Sequence, residues 1–378
     1  MKASQEKASG LVTGAASPPV AAAWLTVRLG ALTSNYRELI RRASPAAIAP
    51  VVKADAYSLG MKAVALRLNA AGADTFFVAR LEEGTDLRRC LPRARIFVLD
   101  GIAPGVEPVF VAHRLTPVLN SGGEIALWSA YAAEQHNVLD AAVHIDTGMN
   151  RSGLGQAETN ALAANARASL AGLNLALIMS HLACADDAAH ALNRAQLERF
   201  RAALAMLPPA PASFAATAGV ELGREYLFDI VRPGLGLYGG NPVPSRPNPY
   251  RTVAGLTARV LQVRRVEEGE TVGYGAMFTA RRPTVLAIAA AGYADGLMRA
   301  LGSRGHATIG GRRVPFAGRI SMDLAALDVT DLHVHAGAEV EFLGDTVTLE
   351  EMAAAAGTIN HEILTALSPR AGRVYVED

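Results

Sequence analysis

Up to about residue 240, the chain alternates short apolar runs with longer segments in which apolar residues recur every three or four positions. In one such segment, residues 188–207, Leu192, Leu197, Phe200 and Leu204 fall on one face of a predicted helix. Short continuous apolar runs are instead typical of strands buried on both faces. The predicted strands are residues 48–53, 75–79, 95–99, 116–120, 141–146, 175–181, 213–217 and 230–232.

This alternation predicts an α/β fold with parallel strands joined by right-handed crossovers. Eight strand–helix units in about 200 residues are what a closed (β/α)8, TIM-like barrel requires. An open, doubly wound sheet is the alternative that the pattern leaves.

The last third of the chain has a different pattern. Short β-like runs follow one another between Gly, Asp and Pro turns, at residues 260–266, 285–291, 306–309, 313–316, 326–329 and 340–343. Gly310 and Gly311 tolerate positive φ and therefore predict a hairpin turn. Thr348 and Glu351 have the spacing of a capping box that begins a short helix. This part is predicted to be a mostly-β domain.

A proline-rich segment separates the two patterns. Residues 241–250 contain four prolines, which neither continue a helix nor fit inside a sheet. We therefore expect a barrel over residues 21–240, a linker over 241–252 and a mostly-β C-terminal domain over 253–378. Residues 1–20 are interpreted as a flexible tail, with a weak export signal as the alternative.

Composition excludes several classes of protein. The chain has 378 residues, with 36 Lys and Arg against 35 Asp and Glu, so the net charge of +1 gives no general attraction for nucleic acid. A hydrophobic content of 51% excludes disorder for most of the chain. Only Cys90 and Cys184 occur, so neither a disulfide framework nor a four-thiolate metal site is expected. No apolar stretch is long enough for a membrane helix, and we expect a cytoplasmic protein without a metal.

Polar residues stand where the predicted strands end, and in a barrel this edge carries the active site. They are Lys53, Asp146, His181, Thr217 and Arg232. A lysine that closes a buried strand is desolvated, which favours its neutral amine and suits it to form a Schiff base with a carbonyl compound. A lysine that extends to the surface or pairs with Asp55 is the structural alternative.

A glycine-rich stretch, residues 232–240, follows the eighth predicted strand. Barrels often bind phosphate with the loops after strands seven and eight, and Thr217 would add a hydroxyl donor. A flexible loop before the linker would also explain the glycines. A Schiff-base lysine facing a phosphate site suggests pyridoxal 5'-phosphate.

Arg232 reduces the number of reactions that a pyridoxal phosphate enzyme with this sequence would catalyse. Many enzymes with this cofactor set a carboxylate against the pyridine nitrogen, whereas an arginine would leave that nitrogen unprotonated. This favours simple proton exchange at Cα over decarboxylation or transamination. Racemisation needs an acid/base group on each face of the substrate. Lys53 would serve one face and Tyr274, between Gly273 and Gly275, the other; a space-filling turn tyrosine is the alternative.

These motifs, taken together, resemble alanine racemase. The matching blocks, in order, are residues 50–57 (PVVKADAY), 146–151 (DTGMNR), 180–183 (SHLA), 231–235 (VRPGL), 273–276 (GYGA), 292–296 (GYADG) and 318–323 (GRISMD). The resemblance runs from about residue 23 to the C-terminus. It implies a (β/α)8 barrel followed by a β domain, a homodimer with shared active sites, and interconversion of L- and D-alanine by two-base proton exchange through a pyridoxal-phosphate aldimine. It also implies D-alanine biosynthesis for the cell wall or D-alanine breakdown, between which the sequence does not choose.

The resemblance assigns a role to each matching residue. Lys53 corresponds to the lysine that holds the cofactor and acts as the D-alanine-specific base. Tyr274 corresponds to the L-alanine-specific base, which in the family comes from the partner subunit. The other matches concern the cofactor phosphate (Tyr57, Thr217, Gly234 and Leu235), the pyridine nitrogen (Arg232), the imidazole that orients this arginine (His181), the cofactor hydroxyl and substrate carboxylate (Arg151), a substrate-side backbone contact (Met322) and the entrance (Tyr293 and Arg299).

Four positions depart from the family pattern. His144 replaces a lysine that can be carbamylated in many members, Ala216 a common asparagine, Ser58-Leu59 a frequent Gly-His, and Pro369 a tyrosine that binds phosphate in some members. Two other functions stay open: a racemase of broader specificity, and a protein that binds pyridoxal phosphate without catalysis. The second would need neither Tyr274 nor a second domain.

Overall fold

The computed structural model describes residues 21–378, so the tail predicted for residues 1–20 lies outside the described residues. Two compact units are formed, one by Leu32–Arg251 and the other by Thr252–Asp378 with the described residues up to Ala31. The strands are β1 (Ala23–Arg28), β2 (Ala47–Ile48), β3 (Thr75–Val78), β4 (Arg95–Val98), β5 (Thr116–Leu119), β6 (Leu139–His144), β7 (Leu173–Met179), β8 (Ala212–Ser213), β9 (Ile230–Val231), β10 (Ala254–Val266), β11 (Thr271–Val272), β12 (Phe278–Thr279), β13 (Thr284–Ala289), β14 (His306–Ile309), β15 (Arg312–Pro315), β16 (Ala325–Asp328), β17 (Glu339–Leu343) and β18 (Gly372–Val376).

The helices are α1 (Leu29–Ala43), α2 (Lys53–Tyr57, left-handed), α3 (Met61–Ala70), α4 (Leu81–Cys90), α5 (Glu107–Ala112), α6 (Gly122–Glu134), α7 (Gln156–Ala164), α8 (Ala166–Ser169), α9 (Ala191–Met206), α10 (Leu349–Ala356) and α11 (Asn360–Ala366). Short 3-10 turns cover Ala218–Leu222, Arg224–Tyr226, Leu235–Tyr238, Tyr274–Ala276, Tyr293–Asp295 and Arg299–Leu301. No helix within residues 21–378 has the length and apolar character to cross a bilayer.

Eight strands of the unit Leu32–Arg251 close into a ring. Strands β3 to β8 form one parallel sheet in chain order, and β2 pairs in parallel with β9. Backbone hydrogen bonds join β2 to β3, where Val52 N–H donates to Phe77 O over 2.9 Å, and β8 to β9, where Arg232 N–H donates to Ala215 O over 3.0 Å. Each of the eight predicted strands is present, so the barrel prediction is confirmed.

Apolar side chains fill the interior of this barrel. Phe77 and Phe97 stack with their ring centroids 4.8 Å apart, next to buried Val118 and Leu177. The first predicted strand is shorter than expected, since only Ala47–Ile48 is paired as a strand. Pro50 has no N–H to donate to a ladder, and the chain turns away at Lys53.

The second unit is the predicted mostly-β domain. An eight-stranded sheet has the order β15-β14-β17-β10-β1-β18, with β13 paired to β10 and β16 paired to β13. The hairpin β14–β15 turns at Gly310 and Gly311, which have φ of 56° and 77°. The capping box is also present, because Thr348 Oγ1 accepts from Glu351 N–H over 3.2 Å at the start of α10. Both of these local predictions are confirmed.

The position of the first strand differs from what the sequence predicted, since residues 21–240 were all expected to belong to the barrel. Instead, β1 lies between β10 and β18, with Thr26 opposite both Gly255 and Val374. A local apolar pattern does not show which strands pair across more than 200 residues, so the position of β1 could not be predicted from its own sequence. The proline-rich residues 241–251 belong to the barrel unit, where Asn35 donates to Arg251 O over 2.9 Å.

Candidate active site

Lys53 begins a turn of left-handed helix at the end of the first barrel strand. The five residues after it all have positive φ and none is glycine: Ala54 (52°), Asp55 (53°), Ala56 (53°), Tyr57 (56°) and Ser58 (66°). Hydrogen bonds from Ala56 N–H to Val52 O and from Ser58 N–H to Ala54 O close the turn. Left-handed helix costs about 1–2 kcal/mol per L-residue, so the surrounding structure must hold this segment in place.

Lys53 is half-buried and lies near one cation and two carboxylates. Burial is the main cause that lowers its pKa, and the charge of Arg151 lowers it further, while Asp100 and Glu83 act in the opposite direction. Desolvation and a nearby cation both favour the neutral amine. The amine is therefore suited to attack a carbonyl carbon or to accept a proton.

Arg232 is buried without a carboxylate partner among residues 21–378. Its Nη1 donates to Ser213 Oγ, its Nη2 donates to Ser180 O over 2.6 Å, and Nη2 lies 3.4 Å from His181 Nδ1. Burial lowers its pKa to about 9. The guanidinium is thus fixed by neutral acceptors and has no oxygen anion beside it.

His181 is held as a neutral imidazole. Burial lowers its pKa well below the usual value, and the charge of Arg232 contributes next. Since a guanidinium only donates, His181 Nδ1 is the acceptor and its proton is on Nε2. Gln196 of α9 donates to His181 O over 2.9 Å and so fixes the backbone at this position. Gln196 and Ser213 were not recognised from the sequence, where they look like an ordinary helix residue and an ordinary strand residue.

The glycine-rich stretch packs closely against Thr217 and Tyr57. Thr217 Oγ1 accepts from Gly234 N–H over 3.2 Å and from Gly236 N–H over 3.3 Å, which leaves the hydroxyl hydrogen to donate. A Cβ on Gly234 would lie 2.3 Å from the Tyr57 hydroxyl, so only glycine fits there. Burial raises the pKa of Tyr57 to about 12 and keeps its proton in place. Leu235 is buried at the start of the 3-10 turn that follows.

Asp146 shapes the loop that carries Arg151. Its Oδ1 accepts from the N–H groups of Gly148, Met149 and Asn150 over 2.9, 2.9 and 3.1 Å. Arg151 itself is exposed and forms no ion pair with a carboxylate of the described chain. The loop therefore presents a free cation near Lys53 and His181, whose pKa values it lowers.

His144 occupies the position of the first departure from the family pattern. Asn120 Nδ2 donates to Leu99 O and Val118 O, so its Oδ1 is the atom that lies 2.8 Å from His144 Nδ1. The proton of His144 is consequently on Nδ1 and its Nε2 is a free acceptor. Burial, with the charge of Arg232 second, lowers its pKa to about 4.

Two predicted site residues lie in the other unit. Tyr274 starts a tight turn between Gly273 and Gly275, and 71% of its surface is exposed. Met322 is 52% exposed. Its carbonyl accepts from Ala294 N–H over 3.0 Å, which links it to the turn of Tyr293.

The barrel unit thus brings together most of the predicted site. The charges of Lys53, Arg151, Arg232 and His144 all act on His181, which places these five groups in one cluster. Among residues 21–378, no group of three or more His, Cys, Asp or Glu side chains could hold a metal ion.

Comparison with known proteins identifies the family. Residues 27–242 match the alanine racemase N-terminal domain, and residues 253–375 match the alanine racemase C-terminal domain. The chain is 46% identical over 381 residues to "Alanine racemase, catabolic" of Agrobacterium fabrum, a match that covers 100% of this chain and 96% of the relative. It is 47% identical over 356 residues to "Alanine racemase" of Methylobacterium nodulans, covering 93% of this chain and 96% of the relative.

Among solved structures, the alanine racemase of Bartonella henselae with covalently bound pyridoxal phosphate has a TM-score of 0.91 and 38% identity. This likeness covers 94% of the present chain and 100% of that chain. The two family domains match this chain in the order in which the two sequence patterns follow one another. The chain belongs to the alanine racemase family.

Proposed function

We propose that this protein is an alanine racemase that interconverts L- and D-alanine with pyridoxal 5'-phosphate. The observation that carries the proposal is Arg232, a buried guanidinium held by Ser213, Ser180 and His181. Lys53, whose pKa is lowered, also acts on His181 by its charge. An arginine at the pyridine nitrogen leaves that nitrogen without a proton. Proton exchange at Cα is then favoured over decarboxylation or transamination.

The residues of the barrel fit this cofactor. Tyr57, Thr217, Gly234 and Leu235 would hold its phosphate at the glycine-rich stretch, where a Cβ on Gly234 would collide with the Tyr57 hydroxyl. When bound, the cofactor supplies an electron sink that acidifies the Cα–H bond of the amino acid. Lys53 would bind the cofactor covalently at its aldehyde carbon.

Substrate binding and proton transfer are assigned to the chain's own groups. Arg151 would pair with the carboxylate of alanine, and the backbone at Met322 would contact the substrate from the other side. Lys53 Nζ would take or return the Cα proton of D-alanine. Tyr274 Oη would do so for L-alanine on the opposite face. Two bases on opposite faces are what a change of configuration by proton exchange requires.

We further propose a homodimer in which Tyr274 enters the site of the partner subunit. The second unit exposes several large apolar side chains: Tyr274, Met277, Tyr293, Met322 and Leu324. Exposed apolar groups of this kind favour a protein interface.

A cytoplasmic location and a role in supplying D-alanine for the cell wall complete the proposal. Cys90 and Cys184 are both free, which is usual where thiols stay reduced. Deletion of the gene should make growth depend on added D-alanine. Normal growth without D-alanine, but loss of growth on D-alanine as a carbon source, would indicate breakdown instead.

The decisive experiment is chiral chromatography of L-alanine incubated with cofactor-loaded protein in heavy water. D-alanine with deuterium at Cα is the expected product. Comparable kcat/KM for serine or basic amino acids would indicate a racemase of broader specificity. Bound cofactor without exchange of any amino acid would contradict catalysis and indicate a carrier.

A further inference from the structure

The carboxylate of Glu83 connects the residue after Lys53 to the end of the next barrel strand. Glu83 Oε1 accepts from Ala54 N–H over 2.6 Å. Its Oε2 accepts from Ala79 N–H over 2.8 Å and from Arg80 N–H over 3.1 Å, at the start of α4. Three bonds leave the side chain little freedom, and bonds to an ionised acceptor are among the strong ones.

This contact meets a need of the left-handed turn. The first N–H groups of any helix have no partner inside the helix, and Ala54 N–H is one of them. The turn is also strained over five non-glycine residues, so it requires fixed partners outside itself. After the C-terminal end of the turn, Met61 N–H donates to Asp55 Oδ1 over 2.7 Å. Glu83 serves the near end, one residue from Lys53.

Glu83 also acts on Lys53 by its charge. Burial and Arg151 lower the pKa of Lys53, whereas Asp100 and Glu83 raise it. Removing the charge of Glu83 should therefore lower the pKa of Lys53 further and make its amine more reactive at neutral pH. Loss of position should make the amine less able to reach a bound aldehyde. The two effects have opposite signs, so they can be separated.

We propose that Glu83 is a positioning residue that holds the left-handed turn so that the Lys53 amine meets the aldehyde of the cofactor. This inference rests on the proposed function, in which Lys53 binds pyridoxal phosphate. Glu83 does not touch the reacting atoms. It acts through the backbone of Ala54.

The test compares Glu83→Gln and Glu83→Asp with Glu82→Gln as the matched control. Glu82 is exposed in the same helical turn, and its substitution removes the same charge. Gln keeps the length of the side chain but only one good acceptor. Asp keeps the charge but is one methylene too short to span Ala54 and Ala79 together.

Two measurements on the cofactor-free full chain distinguish charge from position. The pH profile of competitive acetylation of Lys53, followed by mass spectrometry, reports its pKa. The rate at which added pyridoxal phosphate is captured at Lys53, after borohydride reduction, reports its position. Glu83→Gln should move the acetylation profile to lower pH and yet slow capture by about tenfold or more. Glu83→Asp should slow the capture of pyridoxal phosphate with little change in the acetylation profile of Lys53. Glu82→Gln should change neither the capture rate nor the acetylation profile.

Capture within twofold of the natural rate in both Glu83 variants would overturn the proposal. If Glu83→Gln fails to fold, as judged by circular dichroism, Glu83→Asp still decides, and amide hydrogen exchange at Ala54 provides the second measurement. That amide should exchange slowly in the natural protein; rapid exchange would also overturn the proposal. Absence of capture at Lys53 in the natural protein would contradict the proposed function instead.

Discussion

Positive charge is concentrated around neutral imidazoles at the end of the barrel strands. His181 is subject to the charges of Arg232, Arg151 and Lys53, and His144 to those of Arg232 and Arg151. Protonating either ring would add a cation to a buried cluster that has no carboxylate against Arg232. Neutral imidazoles can instead accept hydrogen bonds, as His181 does from Arg232. The histidines therefore limit the positive charge of the site without adding an anion.

This arrangement makes the stability of the protein depend on pH through His144. Its pKa is about 4 when folded and about 6.5 when unfolded, so between these values only the unfolded chain binds the proton. Stability should fall as the pH is lowered from 6.5 to 4, by about 3 kcal/mol in total from this residue. Urea unfolding at several pH values would measure it. His144→Gln should make the dependence on pH less steep and leave the part contributed by His181. His333→Gln, which alters an exposed imidazole, should leave the slope of the natural protein unchanged; an equal slope in both variants would contradict the assignment.

Tyr274 is predicted to act by its hydroxyl alone. Tyr274→Phe should bind the cofactor normally, since the residue lies outside the barrel unit that would hold it. Racemisation should fall by about 10²- to 10⁴-fold, which is the usual contribution of an acid/base group. With α-deuterated alanine, the variant should lose release of deuterium from the L-enantiomer far more than from the D-enantiomer. Equal losses from both enantiomers would show that Tyr274 is not a face-specific base.

The residues proposed to supply the chemistry could be named from the sequence, whereas the residues that hold them in place could not. Lys53 and Arg232 stand at strand ends, where a polar group after an apolar run is conspicuous. Glu83, Asn120 and Gln196 act over 29, 24 and 15 residues through geometry that only the folded chain creates. In the sequence they are ordinary members of a helix or a loop.

Among the elements, the turn that begins at Lys53 is the least expected. Its sequence, KADAYS, contains no glycine, and five positive φ values in a row are not suggested by it. The apolar runs by contrast located every barrel strand, because a strand buried on both faces must be apolar throughout. The local pattern of apolar residues therefore predicts burial well. It does not predict the handedness of a helical turn when the residues that stabilise the turn lie elsewhere in the sequence.

The handedness of the turn predicts opposite effects of glycine at two exposed alanines. Ala54 has φ of 52° and ψ of 50°, a conformation that glycine adopts without strain. Ala54→Gly should leave the free energy of unfolding unchanged or raise it by up to about 1 kcal/mol. Ala161→Gly, in the right-handed helix α7, should lower it by about 1 kcal/mol. Urea unfolding checks both, and a loss of stability at Ala54 as large as at Ala161 would argue against a left-handed turn in solution.

At the scale of the whole molecule, the chain is divided less simply than the sequence pattern implies. The change of pattern near residue 250 marks one real boundary, between Arg251 and Thr252. The other boundary is hidden, because β1 joins a sheet whose remaining strands come after residue 252. The residues of a strand can show that it is a strand, but they do not show which other strands it pairs with. The sequence of β1 therefore did not predict the sheet to which this strand belongs.

The two residues proposed as bases lie in different units, and this leads to the last prediction. Lys53 belongs to one unit and Tyr274 to the other. In a dimer with shared sites, each site takes its lysine from one chain and its tyrosine from the other. Lys53→Ala and Tyr274→Phe should each be nearly inactive alone. After subunit exchange at equal amounts, half of the dimers are mixed, and one of the two sites in each mixed dimer is intact, so activity should recover to about a quarter of the natural value.

Differently tagged chains allow the mixed dimer to be purified and its formation verified before the assay. The double variant, Lys53→Ala with Tyr274→Phe, is the control for exchange itself. Mixed with Lys53→Ala, it should restore nothing, because no site would then contain the lysine. If both residues of a site come from the same chain, every chain in the first mixture carries a defect. A purified mixed dimer without activity would therefore show that each subunit builds its own site.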